Sequence, residues 1–249
     1  MEQNQVPIIC DTNIWYYIAS GQIPESSLAD KYLVGTFLTG YELCTSFHLV
    51  KNYDHIKQAV SAYVKAPIIT TTPVDHIRAI SSSTHDADEW DILSDVLTAI
   101  FNLEKLPDPH GIKKLLENYE EDLIRKNNHL INSANSVREQ LQRVGRGQHK
   151  RLMNDKAAKD YHLELSKEVI TNYMGGLVID WQAFDLFLVA FDEWSRQLSI
   201  HPSMVIKPND WVDLLNLVYV QPGSLYWTKD ERRTKKFVIQ RGYAHYLVN

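Results

Sequence analysis

Short apolar runs near the N-terminus alternate with segments of helical period. Residues 6–10 (VPIIC), 41–46 (YELCTS) and 66–73 (APIITTTP) are apolar or β-leaning and predict strands, the last closed by Pro73. Between the second and third runs, Leu49, Tyr53, Ile56, Val60 and Tyr63 recur at alternating spacings of four and three, the signature of a helix with one buried face. Strands separated by helices predict a parallel sheet with helical crossovers, an α/β fold.

The middle of the chain reads as helix throughout. Residues 88–106 place Trp90, Leu93, Leu97 and Ile100 or Phe101 on one side and carboxylates on the other. Beyond Pro107 and Pro109, apolar residues from Ile112 to Val144 predict an amphipathic helix of roughly 50 Å at about 1.5 Å per residue. VGRGQHKR is a turn and 150–173 a returning helix, together an antiparallel helical arm or cap. GGLVIDWQAFDLFLVAFDEW starts another helix, apolar nearly all round. MVIK, a helix start in PNDWVDLLNLVYV and the strand-like SLYWT then return to the style of the opening. The expected organisation is a single domain over 1–249 with a discontinuous core, 1–75 and 200–249, and a helical insertion or cap over 76–199.

Composition narrows the function classes. The 249 residues are 44% hydrophobic, enough for a sizeable core, and the net charge of −5 makes no whole-chain case for nucleic acid or membrane partners. Cys10 and Cys44 lack the spacing of a zinc site. With no leader-like start and no apolar run of membrane-spanning length, the expectation is a cytoplasmic protein with reduced thiols.

Candidate chemistry lies in the aspartates beside the outer strands. Asp11 closes the first run, Asp210 opens the late helix, and Asp230 follows the last strand. Singly these are a turn or cap residue, a helix-start charge and a loop charge. In a parallel sheet they converge at the carboxyl ends of the strands, where ligands sit, and oxygen-only ligation suits Mg²⁺ or Mn²⁺. No Ser, Cys or His spacing argues for a covalent nucleophile.

IICDTNIW together with PNDWVDLLNLVYV and LYWTKDER resembles the first and last motifs of the PIN-domain nucleases, metal-dependent ribonucleases that include toxins of toxin–antitoxin modules. The resemblance implies a PIN-like three-layer fold with a central parallel sheet, into which the helical segment is inserted. It implies an endonuclease that hydrolyses phosphodiester bonds in single-stranded or structured RNA with Mg²⁺ or Mn²⁺. Asp11, Asp210 and Asp230 match the family's acidic ligands, Asn13 and Thr228 its supporting polar residues, and Asp213, one turn beyond Asp210, adds a ligand or its partner. Among partners it implies RNA ahead of DNA, a protein inhibitor or antitoxin, and a second copy of the chain.

The chain departs from this pattern at the second acid. The family places a glutamate on the helix after the second strand, six residues beyond a Ser, and counting from Ser46 arrives at Asn52. Glu42 precedes the strand-like LCTS and is expected at its wrong end. An amide at Asn52 supplies no charge, so the alternative is a catalytically inactive PIN-like scaffold whose helical arm binds a protein partner.

Remaining clusters carry less. THDADEWD is read as a helix start, and Trp181, Phe184, Phe187, Phe191 and Trp194 as core at helical spacing. From 75 to 122 there are 12 acidic and 4 basic residues, whereas Arg143, Arg146, Lys150 and Arg151 mark the basic tip of the arm and Arg232 and Arg233 follow Asp230. Those cations are candidates for the phosphate backbone, or else a solvated face and tail. Tyr243 and Tyr246 stack on bases or pack on the fold.

Overall fold

The computed structural model describes residues 5–45, 51–81, 90–102, 132, 139, 154–201, 204, 208–231 and 234–248. All of the long helix expected over 112–144 except residues 132 and 139, the THDADEWD cluster before Trp90 and the nucleic-acid candidates Arg143, Arg146, Lys150, Arg151, Arg232 and Arg233 lie outside the described residues.

The sheet has four strands, all parallel, in the order β3-β2-β1-β4. β1 is Pro7–Cys10, β2 Tyr32–Gly35, β3 Ile68–Ile69 and β4 Leu225–Trp227. The first and last elements of the chain are therefore neighbours, with Cys10 opposite Trp227. On the outer side of β4, Leu247 bridges to Tyr226 and the Val248 N–H donates to the Tyr226 carbonyl at 3.0 Å. Both inner strands are buried on two faces, which is why they read as apolar runs without alternation.

Helices α1 (Thr12–Ala19), α2 (Phe37–Thr45) and α3 (Tyr53–Tyr63) pack together beside the sheet. α3 buries Ile56, Ala59, Val60 and Tyr63, the face expected from its period. α4 is Pro73–Ser81, α5 Trp90–Asn102, α6 Lys156–Tyr173, α7 Asp185–Ile200, α8 Pro208–Asn216 and α9 Thr234–Gln240. α5 packs on α2 and α3, and α7 on α8, so these parts of the expected insertion share one hydrophobic cluster with the core. Phe184, Phe187 and Phe191 are buried in that cluster as expected for a core series. No helix among the described residues is long and apolar enough to cross a membrane.

One expectation is overturned. YELCTS is not a strand: residues 41–45 are the second half of α2, and the second strand is the earlier run YLVG, residues 32–35. α2 looks unlike a helix because it carries Gly40, aromatic residues and threonines, all poor helix formers. Its glycine answers a packing demand. A Cβ on Gly40 would lie 2.7 Å from the Tyr63 hydroxyl oxygen, and one on Gly35 2.6 Å from Tyr63 Cε2. Tyr63 is fully buried between them and donates its hydroxyl to the Thr36 carbonyl at 2.9 Å.

A buried ion network ties α6, α7 and α9. Arg196 contacts Asp192 at 2.7 Å and Glu193 at 2.9 Å, and Arg241 closes on Glu193. His162 Nδ1 lies 2.7 Å from Asp192, which also accepts from the Ser166 hydroxyl at 3.2 Å.

Candidate functional site

The pairing registers align β1, β2 and β4 so that Asp11, Thr36 and Thr228 each follow the last residue of a strand on one rung of the sheet. Asp11 is the N-cap of α1, with extended backbone, and is only 7% exposed. The site thus begins where a strand stops and a helix starts, which an apolar run followed by Asp-Thr-Asn encodes locally.

The carboxylate of Asp11 is held from several directions. Oδ1 accepts from the Thr12 N–H at 2.7 Å, and Oδ2 from the Thr228 hydroxyl at 2.7 Å and Asn13 Nδ2 at 2.5 Å. Thr228 Oγ1 in turn accepts from the Asp230 N–H at 3.0 Å and from Asn13 Nδ2 at 3.3 Å, while Asn13 Oδ1 accepts from the Lys229 N–H at 3.1 Å. This web binds the end of β1 to the loop after β4 and orients Asp11 through Asn13 and Thr228.

Glu42 arrives from α2. The Thr12 hydroxyl donates to Glu42 Oε2, which joins the glutamate to the residue after Asp11. Burial and the nearby Asp11 raise the Glu42 carboxyl to about 7, against the opposing effect of the Thr12 hydrogen bond. Asp213, on α8, is likewise raised to about 7, first by burial and then by Asp11, Glu42 and Asp230. Burial is also the main cause raising Asp11, with Asp230 adding to it and its hydrogen bonds opposing it. Each charged group that shifts Asp213 is another carboxylate, so the four acids share one field.

Glu42, and not Asn52, is the residue joined to the Asp11 end of the sheet. Asn52 is exposed, precedes α3 and makes no capping hydrogen bond with its side chain. Counting six residues from Thr36, at the end of the true second strand, arrives at Glu42. That signal was available in YLVGT, and its neighbour YELCTS obscured it. Asp210 sits in the first turn of α8, one turn before Asp213, and both line a cavity of about 340 Å³. A further link joins the site to α8: the Thr36 hydroxyl donates to Asn216 Oδ1 at 2.7 Å.

No protein-family model, curated protein or solved structure matches the chain. Its reading therefore rests on the site itself. Among the described residues no three His, Cys, Asp or Glu side chains form a group that could hold a metal ion as they stand. The donor chemistry nevertheless fits a hard cation. The set is all oxygen, it is partly buried, and its members raise one another's proton affinity, which a divalent ion would reverse.

Proposed function

We propose that the protein is a metal-dependent endonuclease of PIN-like, three-layer construction that hydrolyses phosphodiester bonds in RNA. The observation that carries this reading is the gathering of Asp11, Glu42 and Asp213 from three separate elements: Asp11 is held by Thr12, Asn13 and Thr228, Glu42 is bonded to Thr12, and Asp213 lies in the field of both. Asp11, Glu42 and Asp213 are the residues that would hold Mg²⁺ or Mn²⁺, with Asp230 and Asp210 at the flanks. When bound, the ion supplies a polarised water and charge stabilisation at the phosphoryl oxygens.

The chain's own residues do the positioning. Thr228 and Asn13 keep Asp11 Oδ2 fixed, and Thr12 holds Glu42 Oε2 beside it. The inactive-scaffold alternative draws on Asn52, and Glu42 beside Thr12 removes that support. A toxin role and a protein inhibitor rest on the family resemblance.

The test is incubation with labelled single-stranded RNA, structured RNA and single-stranded DNA in Mn²⁺, Mg²⁺ or chelator. RNA cleavage is expected in either ion, and its loss in chelator and in Asp11→Asn and Glu42→Gln. Cleavage that is indifferent to both substitutions and to chelator, or no divalent-ion binding by calorimetry, would sink the reading.

A further inference from the structure

The cavity beside Asp210 and Asp213 is mixed in character. Its lining combines apolar and aromatic side chains, among them Trp194 from α7, Leu214 from α8 and Phe237 from α9, with the polar Asp210, Asp213 and Thr234. About 340 Å³ is within the range of small-ligand sites, which pair apolar walls with a few placed polar groups. Trp194 packs edge to face on Trp211, ring centroids 4.8 Å apart, and Trp211 in turn packs on Phe191 at 6.2 Å. The aromatic wall is thus fixed before anything enters.

Asp213 connects this cavity to the rest of the site. It lines the cavity and also lies in the field of Asp11, Glu42 and Asp230. An occupant must therefore be flat and apolar enough for Trp194 and Phe237, carry N–H donors for carboxylates, and be attached to a phosphate that reaches the acids next door. From this geometry we propose that the cavity is a subsite for one unstacked nucleobase, adjacent to the phosphodiester held at the carboxylates. It rests on the nuclease reading above, and the base that enters must be unpaired, because a paired base keeps its N–H edge and faces inside the helix. Stacking on the aromatic wall accepts any base, while Asp210 and Asp213 favour those with exocyclic amino groups.

The experiment uses the full chain and fluorescein-labelled single-stranded oligonucleotides, read by anisotropy in chelator and again in Mg²⁺. Adenine- or cytosine-bearing strands are compared with a strand of equal length whose sugars are abasic. The expected result is about tenfold weaker binding of the abasic strand to the wild type. Phe237→Leu and Trp194→Leu should narrow that difference to about twofold without weakening the abasic strand. Equal affinity of the two strands for the wild type, which needs no variant to fold, overturns the subsite. So does a base-dependent difference that survives both substitutions. Saturation of the cavity by an arginine-rich peptide that the oligonucleotides fail to displace would assign it to a protein partner and overturn the proposal. Cleavage of abasic strands at the wild-type rate leaves the nuclease reading standing while the subsite falls; no binding and no cleavage of any strand removes both.

Discussion

The molecule buries charge in two places, and it treats them in opposite ways. Between α6, α7 and α9, Asp192 and Glu193 are matched by Arg196, Arg241 and His162 at hydrogen-bond distance. Around Asp11, carboxyl groups face one another, and the hydrogen bonds come from Thr12, Asn13 and Thr228. The first arrangement neutralises itself and fastens helices. The second sets buried carboxyl groups in one another's field, and perturbed groups of that kind are found where a protein binds or reacts.

Breaking the self-neutralised cluster should have the largest effect. Arg196→Met strands Asp192 and Glu193 with less compensation in a buried setting, so a loss of about 3–5 kcal/mol is expected in urea unfolding. A loss under about 1 kcal/mol would show the network to be ornamental. The next effect belongs to the acidic site. Thr228→Val removes the donor to Asp11 Oδ2 and the acceptor for the Asp230 N–H, and should lower RNA cleavage about 10- to 100-fold while Thr228→Ser restores it. A matching drop in thermal stability that accounts for the lost activity would make Thr228 merely structural.

The acidic cluster should also make stability depend on pH. Asp213 and Glu42 have raised carboxyls in the folded state, so the folded protein binds more protons than the unfolded chain between about pH 4 and about 7. Metal-free stability is therefore highest below that window and declines as pH rises through it. Asp213→Asn should flatten the decline and stabilise the metal-free protein at pH 8, on the order of 1–2 kcal/mol, whereas Arg196→Met destabilises throughout. Destabilisation by Asp213→Asn at pH 8 would mean that the ionised group has a partner. The smallest expected effect is from Mg²⁺ itself: at about three times its dissociation constant it should add about 0.8 kcal/mol at pH 8, less at pH 5, and nothing to Asp11→Asn.

Legibility from sequence followed the same division between local and distant causes. β1 with Asp11 and β4 with Thr228 and Asp230 were readable because an apolar strand and the polar residue after it are adjacent in the chain. α3 was readable from its period. Glu42 was obscured by its neighbours: Gly40, dictated by the ring of Tyr63, together with the aromatic residues and threonines around it makes α2 resemble a strand and turn. The link from Thr36 to Asn216, and the cavity between α7, α8 and α9, join residues whose contact has no short-range signature. Charge was legible by region but not by partner, so the distinction between the ion-paired cluster and the acidic one emerged with the fold.

The short pairing of Leu247 and Val248 along β4 has a practical reach. Those two residues occupy backbone groups that would otherwise template another molecule's strand. Trimming residues 244–249, or pulling them away with a bulky fusion, would leave a sticky flank directly alongside Tyr226, and the expected symptom is concentration-dependent clumping, with the chemistry of the acids untouched.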